Sequence, residues 1–184
     1  IETNAEPTVT LPVSLTVDAN ANQVTITVQN AEGWNMVGLP VTVENADWVS
    51  VFPEAISGTL YGFDGSYSNE TDLTLGNGYW LRFEGDGSSD ITGIPIGELS
   101  ISLLEGWNMI TGISSFVNIS NIIDPEGIIV SNTFYSFNNG YINASTLEPG
   151  QGYWVRAHAS GTITISSQNT IAKRKEFISA LDGA

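Results

Sequence analysis

The pentapeptide EGWNM occupies Glu32–Met36 and returns unchanged at Glu105–Met109, an offset of 73 residues. An identity of this kind inside one chain marks a duplicated unit. In register, TITVQNAEGWNMVGLP (25–40) lies over ELSISLLEGWNMITGI (98–113), and LYGFDGSYSNETDLTLGNGYWLRFEG (60–85) lies over FYSFNNGYINASTLEPGQGYWVRAHA (134–159). In the second block Tyr61, Gly76, Gly78, Tyr79, Trp80 and Arg82 align with Tyr135, Gly150, Gly152, Tyr153, Trp154 and Arg156 at a constant offset of 74. One net insertion therefore lies between the blocks. The intervening segments share little beyond a Pro-Glu pair and read as connection, with a helical turn expected after Pro125.

Each copy alternates apolar and polar residues with the period of a half-buried strand. Ile26 and Val28 alternate with Thr25 and Thr27; Tyr79, Leu81 and Phe83 take one face of GYWLRF and Trp80 and Arg82 the other. Gly76, Gly78, Gly150 and Gly152 suit turns entering those strands, and FDGSY and FNNGY carry Asp-Gly and Asn-Gly hairpin signals. The expected fold is all-β: two tandem homologous repeats packed with pseudo-two-fold symmetry, sandwich or barrel-like. The expected organisation is a leading strand and linker at 1–23, a first repeat at 24–97, a second at 98–170, and a tail at 171–184 running toward a further C-terminal domain. A unit this small does not bury both faces of its sheet alone, so the two copies are expected to cover each other.

The chain has no cysteine, which excludes disulfides, thiolate zinc sites and thiol nucleophiles. Of its 20 acidic and 5 basic residues, Lys173, Arg174, Lys175, Glu176 and Asp182 lie beyond residue 170, leaving 18 acids against 2 bases before it. Such a surface repels phosphate backbones and anionic headgroups, so neither nucleic acid binding nor membrane insertion is expected. The opening residues lack a basic and apolar leader, which reads as a mature form or a fragment.

GWNM(V/I), followed some 45 residues later by G-x-GYW(L/V) with Y-x-F…GY between them, resembles the GWN…GYW repeat modules of bacterial secreted and cell-surface proteins, often placed near type IX secretion sorting domains. The resemblance covers roughly residues 24–166. It implies an extracellular, β-rich accessory or spacer module of a bacterial protein, with neighbouring domains of the same polypeptide as partners and no catalytic machinery of its own.

The duplicated residues are the first candidates for a site. Trp34 and Trp107 are expected to fill the two cores, with Asn35 and Asn108 tying strand to turn. Trp80 and Trp154 are expected on the face opposite the core. Arg82 and Arg156, the only bases before residue 170, are expected to pair with the equally duplicated Glu32 and Glu105, since a guanidinium fork suits a carboxylate. The competing reading makes the arginines receptors for carboxylate or sulfate. The alternative to a spacer is a carbohydrate-binding module, whose candidate polysaccharide contacts are Trp48, which has no counterpart in the second copy, and the aromatic residues of the Y-x-F…GY hairpins, Tyr67 and Tyr141 among them. In EGDGSSD, Asp86 and Asp90 are candidate Ca²⁺ ligands on a glycine-rich loop that lacks the closing Glu of an EF-hand; no other cofactor is implied. Enzymatic activity is not expected: the single His158 has no nucleophile-elbow serine beside it, and the competing enzyme reading, with the duplicated Glu32 and Glu105 as acid and base across the repeat interface, rests on residue type alone.

Overall fold

The computed structural model describes residues 22–167; the leading strand expected before residue 22 and the tail after residue 167 lie outside the described residues. The first repeat runs β1 (Val24–Asn30), β2 (Gly33–Val37), β3 (Val41–Thr42), α1 (Trp48–Val51), β4 (Tyr61–Phe63), β5 (Tyr67–Asn69), β6 (Tyr79–Phe83) and β7 (Gly87–Pro95). The second runs β8 (Glu98–Leu103), β9 (Gly106–Thr111), β10 (Val117–Asn118), a 3₁₀ turn at Ile119–Asn121, β11 (Tyr135–Phe137), β12 (Tyr141–Asn143), β13 (Thr146–Leu147), β14 (Gly152–Ala157) and β15 (Gly161–Ser166). The protein is all-β, and every strand pairing among the described residues is antiparallel. No helix among the described residues is long and apolar enough to cross a membrane.

The two copies fold alike. Four-stranded sheets β2-β6-β4-β5 and β9-β14-β11-β12 are counterparts, as are the β1–β7 and β8–β15 pairings, and none closes into a barrel. Each repeat is a small sandwich with its own core. In the first, Val28 and Ile91 from β1 and β7 pack with Val37, Tyr79, Leu81 and Phe83 of the four-stranded sheet. In the second, Ile101, Leu103, Ile163 and Ile165 pack with Ile110, Tyr153 and Val155. On the outer face of β1, Thr25 and Thr27 hydrogen-bond Thr92 and Asp90 of β7 at 2.7 and 2.6 Å, so alternation in the sequence becomes a polar ladder on one side and core on the other.

The unrelated connecting segments fold alike in part, although β3 pairs with β7 and β10 with β13. Each has a two-residue strand and one helical turn, capped by Asp47 at Val49 N–H and by Asn118 at Ser120 N–H. The second turn therefore precedes Pro125 instead of following it; after Pro125 the Asp124 carboxylate accepts from Ile128 and Ile129 N–H and holds the chain in a turn. Both segments end on the same device: Thr59 and Thr133 accept from the N–H of Arg82 and Arg156, while Ile56 and Val130 N–H donate to the C=O of those arginines.

The repeats join through reciprocal turns. Gly78 N–H donates to Met109 C=O (3.0 Å) and Thr111 N–H to Gly76 C=O (3.1 Å), while Gly38 N–H donates to Gly150 C=O (3.0 Å). Gly76 and Gly150 have φ of 85° and 75°. Gly78 and Gly152 instead serve close approach: a Cβ on Gly78 would stand 2.6 Å from Ile110 O, and one on Gly152 3.0 Å from Met36 backbone and side chain.

Candidate functional site

Strand parity builds the site. Trp34 lies directly opposite Arg82, Met36 opposite Trp80, and Trp80 also opposite Tyr61. Residues paired across an antiparallel ladder share a face, so Trp34, Met36, Trp80, Arg82 and Tyr61 stand on the side away from Tyr79, Leu81 and Phe83. The second repeat has the same arrangement, with Trp107 opposite Arg156 and both Met109 and Tyr135 opposite Trp154. These two aromatic faces meet. Met36, Met109 and Trp154 form a buried centre against which Phe63, Trp80, Tyr135 and Phe137 pack. Edge-to-face contacts cross between repeats reciprocally: Phe63 with Trp154 at 4.9 Å and Trp80 with Phe137 at 4.8 Å.

Only the middle of each aromatic face is covered, and the remainder forms two symmetry-related clefts. The first, about 510 Å³, is walled by Trp34, Tyr61, Tyr67, Trp80, Phe137 and Tyr141. The second, about 420 Å³, is walled by Phe63, Trp107, Tyr135, Tyr141 and Trp154. Trp34 contacts Tyr61 and Trp80 at 6.0 and 6.4 Å, and Trp107 contacts Tyr135 and Trp154 at 6.0 and 6.2 Å. The rings are thus fixed by one another. Tyr67 and Tyr141 lean on Phe63 and Phe137 at 5.2 and 5.6 Å and are 55% and 58% exposed. Both volumes fall within the range of roughly 300–1,000 Å³ usual for ligand pockets.

Two expectations about the pentapeptide need correction. Trp34 and Trp107 are not core residues; they are 41% and 43% exposed, because their register places them with the arginines on the outward face. Neither Glu32 nor Glu105 pairs with an arginine: Arg82 and Arg156 are exposed, and no ion pair involves them among the described residues. The glutamates act through their backbones, with Glu32 N–H donating to Asp86 Oδ1 and Glu105 N–H to Ser160 Oγ. The rest of the motif is structural. Gly33 and Gly106 have φ of 90° and 103°. Asn35 Oδ1 accepts from Ala31 N–H and its amide donates to Ala31 and Gly33 C=O; Asn108 does the same with Leu104 and Gly106. Trp stands in the cleft, and Met closes the seam between repeats.

Trp48 borders neither cleft; it is half-buried at the start of α1 and packs against the first core. Asp86 Oδ1 and Asp90 Oδ1 already accept hydrogen bonds, from Glu32 N–H and Thr27 Oγ1, and the described residues contain no group of three or more metal-ligating side chains. His158 lies on the surface with Nε2 3.0 Å from Gly127 O. Tyr79 and Tyr153 are core residues whose hydroxyls accept from Thr74 and Glu148 N–H, and burial pushes the Tyr153 phenol up to about 12.

The Y-x-F residues Tyr61, Phe63, Tyr135 and Phe137, which recur at the common offset, are walls of the two clefts. Comparison of the chain with known protein families, characterised proteins and solved structures returns no match.

Proposed function

We propose that the chain is a non-catalytic accessory module of a larger extracellular protein, and that it binds carbohydrate on its exposed aromatic face. The observation that supports this reading is the exposure of Trp34 and Trp107 as ordered, ring-braced walls of matching clefts, each with a free guanidinium one strand away. Aromatic rings with one apolar face open to solvent stack on the C–H face of a pyranose, while side-chain amides beside the cleft meet its hydroxyls. Monomeric proteins rarely leave such apolar surface uncovered without a use. The placement of the module in a secreted or surface protein rests on the motif resemblance alone.

A polysaccharide panel tests the binding reading. Isothermal titration or affinity electrophoresis of the intact chain should find at least one polysaccharide bound, with binding lost in the Trp34→Ala/Trp107→Ala double variant. No binding across the panel, or binding unchanged in the double variant, would overturn it.

A further inference from the structure

The two clefts are alike in their rings apart from Tyr67, which lines only the first, and unlike in what adjoins them. Beside the first cleft, and sharing Trp34 and Phe137 with it, runs a groove of about 590 Å³ rich in side-chain amides: Gln29, Asn30, Asn138, Asn139, Asn143 and Gln151. The matching groove beside the second cleft is about 320 Å³, shares only Phe63, and carries the carboxylates Asp64, Glu70 and Asp72. Drift after duplication explains the difference position by position, since Asp64, Glu70 and Asp72 stand where the second repeat has Asn138, Ala144 and Thr146. The swap crosses over because each groove is formed by the hairpin of one repeat against the β1–β2 or β8–β9 turn of the other.

The chemistry of the two grooves differs accordingly. Asn138, Asn139 and Asn143 are exposed and their side chains are uncommitted, whereas Asn69, the counterpart of Asn143, spends its amide on Gly58 and Leu60 C=O. Glu70 and Asp72 already accept from Ser68 and Thr71 hydroxyls. An amide offers donor and acceptor together and so matches a hydroxyl, which also does both; a carboxylate only accepts. The amide groove also contains Asp86 and Glu148, and with a chain net charge of −15 it disfavours an anionic polymer.

Resting on the carbohydrate reading above, we infer that the chain has one principal site: an uncharged polysaccharide lies across the first cleft, stacks on Trp34, and continues past Phe137 into the amide groove, while the second cleft is a degenerate copy.

Titration calorimetry with neutral β-glucan and mannan oligosaccharides of increasing length, with alginate as the anionic control, tests this. The expected result is one site per chain, affinity rising with oligosaccharide length, and no preference for alginate. Trp34→Ala should weaken binding about 30-fold or more, as loss of a central aromatic anchor does, while Trp107→Ala changes it less than about threefold. Asn143→Ala should weaken it by about tenfold, the scale of one or two lost hydrogen bonds. Trp34→Phe should retain part of the affinity, which separates loss of stacking from loss of fold. Two equal sites, equal losses in Trp34→Ala and Trp107→Ala, or preference for alginate would overturn the inference and leave the carbohydrate reading standing; absence of binding to every saccharide would overturn both.

Discussion

Substitution of Gly78 by alanine tests the seam between the repeats. An added Cβ would lie 2.6 Å from Ile110 O and 3.1 Å from Ile110 N and C, all backbone atoms of β9, so no side-chain rotation relieves the clash. The turn must retreat, and Gly78 N–H then loses Met109 C=O at 3.0 Å. Overpacking costs roughly 1–3 kcal/mol and a net hydrogen bond about 0.5–1.5 kcal/mol, so a loss of about 2–4 kcal/mol is expected. For a protein of this size that lowers the melting midpoint by roughly 4–16 °C. Gly152→Ala, whose nearest neighbours stand at 3.0 Å, should cost less. Gly85, with nothing within 4 Å of the added Cβ and no positive φ, provides the control. Urea and thermal unfolding followed by circular dichroism read the difference. If Gly78→Ala unfolds within about 0.5 kcal/mol of Gly85→Ala, the uncertainty expected of surface changes, the close approach is not what the seam depends on.

Three further outcomes follow from the cores and the surface. Ser89 Oγ is buried without a partner, and its counterpart at the common offset is the fully buried Ile163; Ser89→Ala should leave stability unchanged or raise it by about 1 kcal/mol, and a fall of that size in urea unfolding would mean the hydroxyl is satisfied. Arg82→Ala and Arg156→Ala, at exposed positions with no carboxylate partner among the described residues, should each change stability by less than about 0.5 kcal/mol; a larger loss, abolished by salt, would restore the Glu–Arg pair. Burial pushes the Tyr153 phenol up from 10 in the unfolded chain to about 12 in the fold, so its contribution is intact below pH 10 and is lost as pH rises toward 12, with the unfolded state releasing the proton first. Unfolding free energies measured between pH 9 and 11.5 should therefore fall more steeply in the native chain than in Tyr153→Phe, and identical slopes would contradict the assignment.

Much of the architecture was legible because it is written in short-range parity. GYWLRF states its own two faces, and the doubled offset states that whatever one copy does the other repeats. The face of Trp34 was not legible. Its side depends on pairing with Arg82, 48 residues away, and a one-residue slip in that register would have buried the indole. The same blindness produced the Glu–Arg expectation: equivalent positions were visible, but not that the guanidinium points outward while the glutamate contributes its N–H. The Thr59 and Thr133 anchors were at the common offset throughout, hidden because the preceding segment carries the insertion. The unlike grooves were beyond sequence reasoning, since each is formed by a hairpin and a turn from opposite repeats.

Under the proposed function the outward tryptophans are the working surface. The five tryptophans give five indole N–H resonances in a nitrogen-15 correlation spectrum, and Trp48, packed on the first core away from both clefts, is a control within the molecule. On titration with the polysaccharide that binds, the indole signals of Trp34 and Trp80 should shift in proportion to saturation while that of Trp48 stays fixed. A Trp48 shift with Trp34 and Trp80 unmoved would contradict the account.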